Sequence, residues 1–120
     1  GITNITNPKQ NITGGIMLLN SLNSQFLESI PDSVERVRFV LATYNVGLGH
    51  VKDAQQLAEK YGKNPKLWNN NVKDFLEYKA EEKYFKDPVV RWGYCRGDDA
   101  TQFVDNVVSL YNNYRNIIAE

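Results

Sequence analysis

Few side chains in this sequence are equipped for chemistry. His50 is the one imidazole and Cys95 the one thiol, so a nucleophile activated by a neighbouring base could be built only around that histidine. His50 follows Gly47-Leu48-Gly49 at the start of a helical pattern, the place of a capping or surface histidine. Cys95 adjoins Arg96 and lies near Arg91. Their charge would favour a thiolate, but the simpler expectation is a small buried hydrophobe. One cysteine and one histidine exclude an intrachain disulfide, a multi-cysteine zinc site and a histidine-rich metal cluster. Gly47-Leu48-Gly49 is too short for a phosphate-cradling loop. Carboxylates remain, and glycoside cleavage runs on such groups when an apolar pocket keeps one protonated. Asp53, Asp74, Glu77, Glu81 and Glu82 fall on charged helix faces and are expected to be solvated. Glu28 ends an apolar stripe and precedes Ser29, which makes it the most conspicuous candidate.

Helices must position these groups. Residues 1–11 read as an irregular segment. Ile12, Ile16, Leu19, Leu22 and Phe26 then keep the period of one helix face, with Asn11 as N-cap. Gly14-Gly15 costs about 1 kcal/mol per glycine against alanine, which the close approach of another backbone would explain. Ile30-Pro31 ends this helix, and Asp32 with Glu35 forms a capping box for the next. Val34 to Tyr44 is apolar on more than one face, the mark of a buried central helix, and Gly47 closes it. A third helix runs from about His50 to Tyr61, with Val51, Ala54, Leu57, Ala58 and Tyr61 inward and Gly62 beyond. Trp68 is expected to plug the core from a short turn. The spacing predicts a solvated fourth helix over Val72 to Lys83, with a thin stripe of Val72, Phe75, Leu76 and Ala80. Residues 84–97 make a long aromatic and basic connection, of the kind that often carries function. The last helix starts at Asp98 or Asp99, with Ala100, Phe103, Val104, Val107, Val108, Tyr111 and Ile118 in one stripe. Five helices without an alternating strand give an all-α fold in a single unit, residues 1–120.

The composition agrees. Of 120 residues, 14 are Lys or Arg and 14 Asp or Glu, for a net charge of zero; a dedicated nucleic-acid binder usually carries a basic excess. A hydrophobic fraction of 42% supports a core and excludes disorder. No apolar run approaches the roughly 20 residues of a membrane span. The chain opens with Gly rather than Met, as a trimmed or processed product would. The Asn4-Ile5-Thr6 and Asn11-Ile12-Thr13 sequons matter only in a source that glycosylates asparagine.

Ala42-Thr43-Tyr44-Asn45-Val46-Gly47, on a helix opening with Arg36-Val37-Arg38-Phe39, resembles the A-x-Y-N-x-G helix of the lytic transglycosylases. These are bacterial peptidoglycan-cleaving enzymes with a goose-lysozyme-like catalytic domain. Upstream, Asn7-Pro8-Lys9-Gln10-Asn11-Ile12-Thr13-Gly14-Gly15 followed by Leu18-Leu19 is similar to the family's D-P-x-x-N-I-x-x-G-x-x-Y-L helix. Downstream, Tyr84-Phe85 and Arg91-Trp92-Gly93-Tyr94-Cys95-Arg96-Gly97 resemble the Y-Y and R-Y-G-Y-A-R-G segments of the membrane-bound lytic transglycosylase F type. His50-Val51 with Asp53-Ala54 fits that subgroup too. The resemblance runs nearly end to end. Trp92 stands in place of a Tyr, Cys95 in place of an Ala, and Leu18 in place of a Tyr.

The resemblance implies a lysozyme-like helical domain that lacks its N-terminal catalytic helix. The family's single catalytic Glu, in an E-S pair followed by a G-L-M-Q-like stretch, would precede Gly1, leaving no catalytic residue in this chain and no activity of its own. Glu28-Ser29 with Val46-Gly47-Leu48-Gly49 only imitates that pair, because the Gly-Leu-Gly belongs to the Tyr-Asn helix and Ile30-Pro31 breaks the chain after Glu28. The implied reaction is non-hydrolytic cleavage of the β-1,4 bond between N-acetylmuramic acid and N-acetylglucosamine. One Glu protonates the leaving oxygen, then acts as base while the muramyl 6-hydroxyl closes a 1,6-anhydro ring. No metal or cofactor is implied. Tyr44 matches the tyrosine whose hydroxyl reaches the Glu, and Asn45 the adjacent polar residue at the cleft floor. Tyr84, Arg91, Tyr94 and Arg96 would line the cleft, the aromatic rings on sugars and the arginines on stem-peptide carboxylates. The implied partner is the peptidoglycan glycan strand, not nucleic acid. The implied setting is the bacterial cell envelope, in the periplasm, with the parent at the outer membrane. Apolar surface left by absent helices would favour self-association. A helical module that docks a glycan or protein without chemistry, and a purely structural helical domain, are the alternative readings.

Overall fold

Six α-helices occupy residues 8–119, the span described by the computed structural model; side chains are described for 13–116. α1 (Pro8–Phe26) begins on a proline, whose fixed φ and missing N–H suit a helix's first turn. Asn11 therefore lies inside the helix and is not its N-cap. Leu22 and Phe26 are buried, Leu19 partly so, whereas Ile16 is exposed; the inward stripe is shorter than the spacing predicts, and the Ile12 side chain lies outside the described residues. At Gly15 the close neighbour is a side chain, not a backbone: an added Cβ would lie 3.7 Å from the Tyr44 hydroxyl.

α2 (Ser33–Val46) is capped by the Asp32 carboxylate, which accepts the N–H groups of Val34 and Glu35. The capping box is not reciprocal, because Glu35 Oε2 accepts instead the Trp68 N–H at 3.3 Å. Phe39, Val40, Leu41, Ala42 and Thr43 are all buried, and α2 packs against α1, α3 and α6, the central position its apolar surface predicts. Gly47 alone joins α2 to α3 (Leu48–Lys60). Its φ of 96° is in the left-handed region that glycine enters without a Cβ penalty. Helix α3 thus starts two residues before His50.

After α3 the chain makes a wide turn at Trp68–Val72, with Asn69, Asn70 and Asn71 outside helical geometry. Trp68 is fully buried and meets the Phe39 ring edge-on at 5.4 Å; Phe39 in turn contacts Phe26 at 5.9 Å. This aromatic row ties α1, α2 and the turn together and fulfils the plug expected of Trp68. The single helix expected over Val72 to Lys83 is in fact two, α4 (Lys73–Tyr78) and α5 (Glu82–Phe85). The break falls at Lys79, whose side chain is wholly buried and whose carbonyl accepts the Cys95 N–H at 3.3 Å. Nor is α4 simply a solvated helix, since Phe75 and Leu76 are core residues. Gly97 closes the following connection against α4: an added Cβ would overlap the Leu76 carbonyl oxygen. α6 (Asp98–Ala119) buries Ala100 and Val104 and half-buries Phe103, Val107 and Val108, while Tyr111 is exposed; the Ile118 side chain lies outside the described residues. With no strand among the described residues, the fold is all-α, as expected, and compatible with a lysozyme-like helical domain.

Candidate functional site

The Tyr44-Asn45 pair sits in the last turn of α2. The Tyr44 ring stacks on Phe103 of α6, with centroids 6.4 Å apart and planes 20° from parallel, yet is 45% exposed. Asn45 is exposed. Just behind them the buried Thr43 hydroxyl has no hydrogen-bond partner among the described residues. Across Gly47, the indole of Trp92 lies over Gly49, where an added Cβ would come within 2.7 Å of its ring atoms. Glycine at position 49 is therefore what lets this ring lie flat on the start of α3.

Trp92 is carried by the aromatic connection, and an internal polar cluster holds that connection in place. Asp53 Oδ1 accepts the Arg91 N–H at 2.9 Å, and Oδ2 accepts the Trp92 N–H at 2.8 Å. Oδ2 also takes a 2.7 Å ion pair from Lys79 Nζ. Asp53 is buried, contrary to the solvated position expected of it. The charged neighbours on α3 misled the sequence reading, but Asp53 lies four residues before the buried Leu57 and three after His50, on one inward row. That row was the available signal. Lys79 Nζ also meets His50 Nδ1 at 2.8 Å. An ammonium can only donate, so Nδ1 accepts and the ring proton sits on Nε2. His50 is thus part of the internal network, not a cap or a surface histidine, and the side chain that meets its ring among the described residues is the Lys79 ammonium.

Burial first, and the Lys79 charge second, hold the His50 pKa below its usual 6.5, with Asp53 opposing. A base with a depressed folded-state pKa leaves the unfolded chain binding more protons, so its contribution is complete above the unfolded pKa and is lost as pH falls through that value toward the folded one. Thermal stability is therefore expected to drop between pH 7 and pH 5, and the drop should shrink in His50→Gln. Melting curves across that range check it; equal slopes for both proteins would refute a role for His50.

Beyond Trp92 the connection turns at Gly93 (φ 70°) and presents Trp92 at 65% and Tyr94 at 57% exposure. Tyr94 meets Phe85 edge-on at 5.8 Å. Arg91 is exposed with no partner for its guanidinium among the described residues. Arg96 pairs with Asp98 at 3.3 Å, both exposed, a pair of little energetic weight. Cys95 is buried, and that burial pushes its thiol pKa up, which makes it a packing residue, not a thiolate.

Tyr84 faces elsewhere. It stacks on Tyr78 at 5.0 Å and contacts Tyr61 and Phe75, a cluster at the C-terminal end of α3, opposite the end that carries Gly49. Next to it Asp87 is buried among Lys60 Nζ, the Tyr61 hydroxyl and the Val89 N–H. Burial opposes its charge, but these hydrogen bonds prevail and set its carboxyl below the usual range. Tyr44, Asn45 and the Trp92 ring thus share one end of the α2–α3 pair. Arg91, Tyr94 and Arg96 follow on the connection, and Tyr84 belongs to a separate aromatic group. Sequence reasoning missed Lys79 altogether.

An open groove of about 700 Å³ between α2 and α6, lined by Val34, Val37, Arg38, Val107 and Arg115 among others, contains no carboxylate. Glu28 is exposed in the turn after α1. Among the described residues no group of three His, Cys, Asp or Glu could hold a metal ion, and no helix is long and apolar enough to cross a membrane.

Comparison with known proteins gives the family. The model of the "Transglycosylase SLT domain" matches residues 1–67. A membrane-bound lytic murein transglycosylase F of Shewanella halifaxensis is 46% identical over 112 residues, covering 93% of this chain and 23% of that protein. The protein of the same name from Shewanella pealeana is 43% identical over 112 residues, covering 93% and 22%. The one from Vibrio vulnificus is 39% identical over 113 residues, covering 94% and 21%. The chain spans less than a quarter of the length of these relatives. The family model spans more than half of the chain, up to residue 67 and so through Tyr44-Asn45, and the chain belongs to the transglycosylase SLT domain family.

Proposed function

We propose that this chain is the C-terminal part of a peptidoglycan lytic transglycosylase catalytic domain. In that role it would supply the glycan-binding wall of a cleft whose catalytic glutamate comes from a preceding segment. The observation that carries the reading is the shared sequence with the murein transglycosylases over 93% of the chain. The carboxylates support the division of labour. A general acid must be kept protonated in an apolar pocket. The two buried carboxylates among the described residues, Asp53 and Asp87, each face a lysine ammonium and backbone N–H groups, and Glu28 is exposed. None suits an acid that then becomes the base.

In this reading the donor glutamate would meet the Tyr44 hydroxyl beside Gly15. Asn45 would face the cleft floor, and Tyr94 would stack on sugar rings with Arg91 and Arg96 toward stem-peptide carboxylates. The substrate would be the glycan strand, cut between N-acetylmuramic acid and N-acetylglucosamine with 1,6-anhydro ring closure, in the cell envelope. The relatives are named as membrane-bound, which supports the cell-envelope setting; the periplasm and the outer membrane are part of the proposal. Tyr84, packed in its own aromatic group, is the weakest member of the proposed wall.

The chain alone is expected to release no anhydro-muropeptides from peptidoglycan, and the chain joined to its upstream coding sequence to release them. Activity of the chain alone that disappears in Glu28→Gln would overturn the assignment. The exposed Trp92 and Tyr94 favour one second reading, a glycan-docking module without chemistry. Titration with chitooligosaccharides separates the two: a module binds by itself, whereas half a cleft binds barely.

A further inference from the structure

We propose that Lys79 is a positioning residue for glycan binding, gripping both ends of the Arg91–Cys95 segment from inside the core and so setting where Trp92 and Tyr94 stand. It rests on the reading of that segment as a glycan-contacting surface. The grip is visible at two points of one residue. At the near end, Lys79 Nζ holds Asp53 at 2.7 Å while Asp53 takes the N–H groups of both Arg91 and Trp92. At the far end, the Lys79 carbonyl accepts the Cys95 N–H at 3.3 Å. Between them the backbone turns at Gly93, and the two exposed aromatic side chains, Trp92 and Tyr94, stand on either side of that turn.

A fully buried ammonium is an expensive way to fill a core position. Its desolvation consumes most of what the ion pair returns, and an apolar side chain of similar volume often serves stability as well. What an apolar residue could not do is fix the Asp53 carboxylate in the orientation that presents one oxygen to each amide. His50 Nδ1 accepts a second hydrogen bond from the Lys79 ammonium at 2.8 Å, which removes freedom from the ammonium itself. The result is a segment ordered before any sugar arrives. A preformed aromatic surface does not have to give up loop and rotamer freedom on binding.

The clamp is tested in this chain by amide hydrogen exchange of Lys79→Met. Exchange at Arg91 and Trp92 is expected to rise at least about tenfold, while Cys95, bonded to a main-chain carbonyl that methionine keeps, and the α3 amides from Val51 to Leu57 retain their protection. Unchanged exchange in the segment overturns the proposal, and so does an equal rise throughout a chain that remains helical. Because an unpaired Asp53 can unfold the protein, Lys79→Met/Asp53→Asn is measured beside it. That pair carries no buried charge, and its neutral amide offers one acceptor where the carboxylate offered two; it is expected to show the same local rise, most at Trp92.

The binding role is tested in the chain extended by its upstream coding sequence, with peptidoglycan as substrate. KM is expected to rise about fivefold or more in the double variant and in Trp92→Ala, with kcat changed less than about twofold. A raised KM in Trp92→Ala alone overturns the positioning role. An unchanged KM in both overturns the glycan reading of the segment, and the proposal with it, while the exchange result shows that the clamp itself was not what failed.

Discussion

Asp53→Ala is expected to destabilise the protein by about 3–5 kcal/mol, the loss typical when one partner of a buried ion pair is removed. Three groups lose an acceptor at once: the Lys79 ammonium, fully buried and left with the neutral His50 ring alone, and the N–H groups of Arg91 and Trp92. The ammonium dominates, because it has no route to water without opening the contact between α3 and the turn after α4. A chain of this size has in all about 5–15 kcal/mol to lose, so the variant should melt far lower or fail to fold at 37 °C. Urea unfolding of the two proteins measures the difference, and a loss below about 1 kcal/mol would mean that Lys79 finds another partner. A double-mutant cycle sharpens the point. Asp53→Ala with Lys79→Met removes the stranded charge along with its partner, so the double variant should be more stable than Asp53→Ala alone. The coupling between the sites, not either single loss, is the quantity that reports the pair.

Trp68→Ala is expected to cost about 3–5 kcal/mol, the range for removing a large buried aromatic side chain. Trp68 is fully buried, touches Phe39 edge-on, and fills the space between α2 and the wide turn. Trp68→Phe should behave differently. The indole N–H of Trp68 has no hydrogen-bond partner among the described residues, and a buried donor left unpaired costs about 1–3 kcal/mol. Phenylalanine removes that burden together with part of the volume. The two effects oppose each other, and the net loss is expected to stay near 1 kcal/mol. Equilibrium unfolding of both variants decides it: a phenylalanine variant as unstable as the alanine one would show that the indole N–H is satisfied.

The helices were legible where periodicity and caps agreed. Asp32 before α2, Gly47 after it and the start of α6 at Asp98 all carry a local cause that sequence displays. The Tyr44-Asn45 end of α2 was legible as a motif. What escaped was the long-range chemistry. Lys79 looked like one more charge on a solvated helix, because nothing within four residues of it announces Asp53 or His50, 26 and 29 positions away. Asp53 escaped for the same reason, its flanking Lys52 suggesting water. The break between α4 and α5 could not be read either, since it follows from where the Lys79 side chain and carbonyl go. Tyr84, grouped by sequence with Tyr94, packs with Tyr61 and Tyr78, whereas Tyr94 meets Phe85, the next residue of α5.

The bonds that order the aromatic segment join residues 38 and 39 positions apart. Contacts so distant along the chain close late, after the loop they enclose has lost its freedom. Helices α3 and α4 must therefore already be docked, with Lys79 and Asp53 in register, before residues 91–95 have anything to hold them. The same dependence runs backwards. A breath that parts α3 from α4 separates Asp53 from Lys79 and frees the amides of Arg91 and Trp92, so the surface that carries Trp92 and Tyr94 opens with that contact. If that surface meets sugar as proposed, selection for its firmness would fall on an interior lysine that no sugar touches.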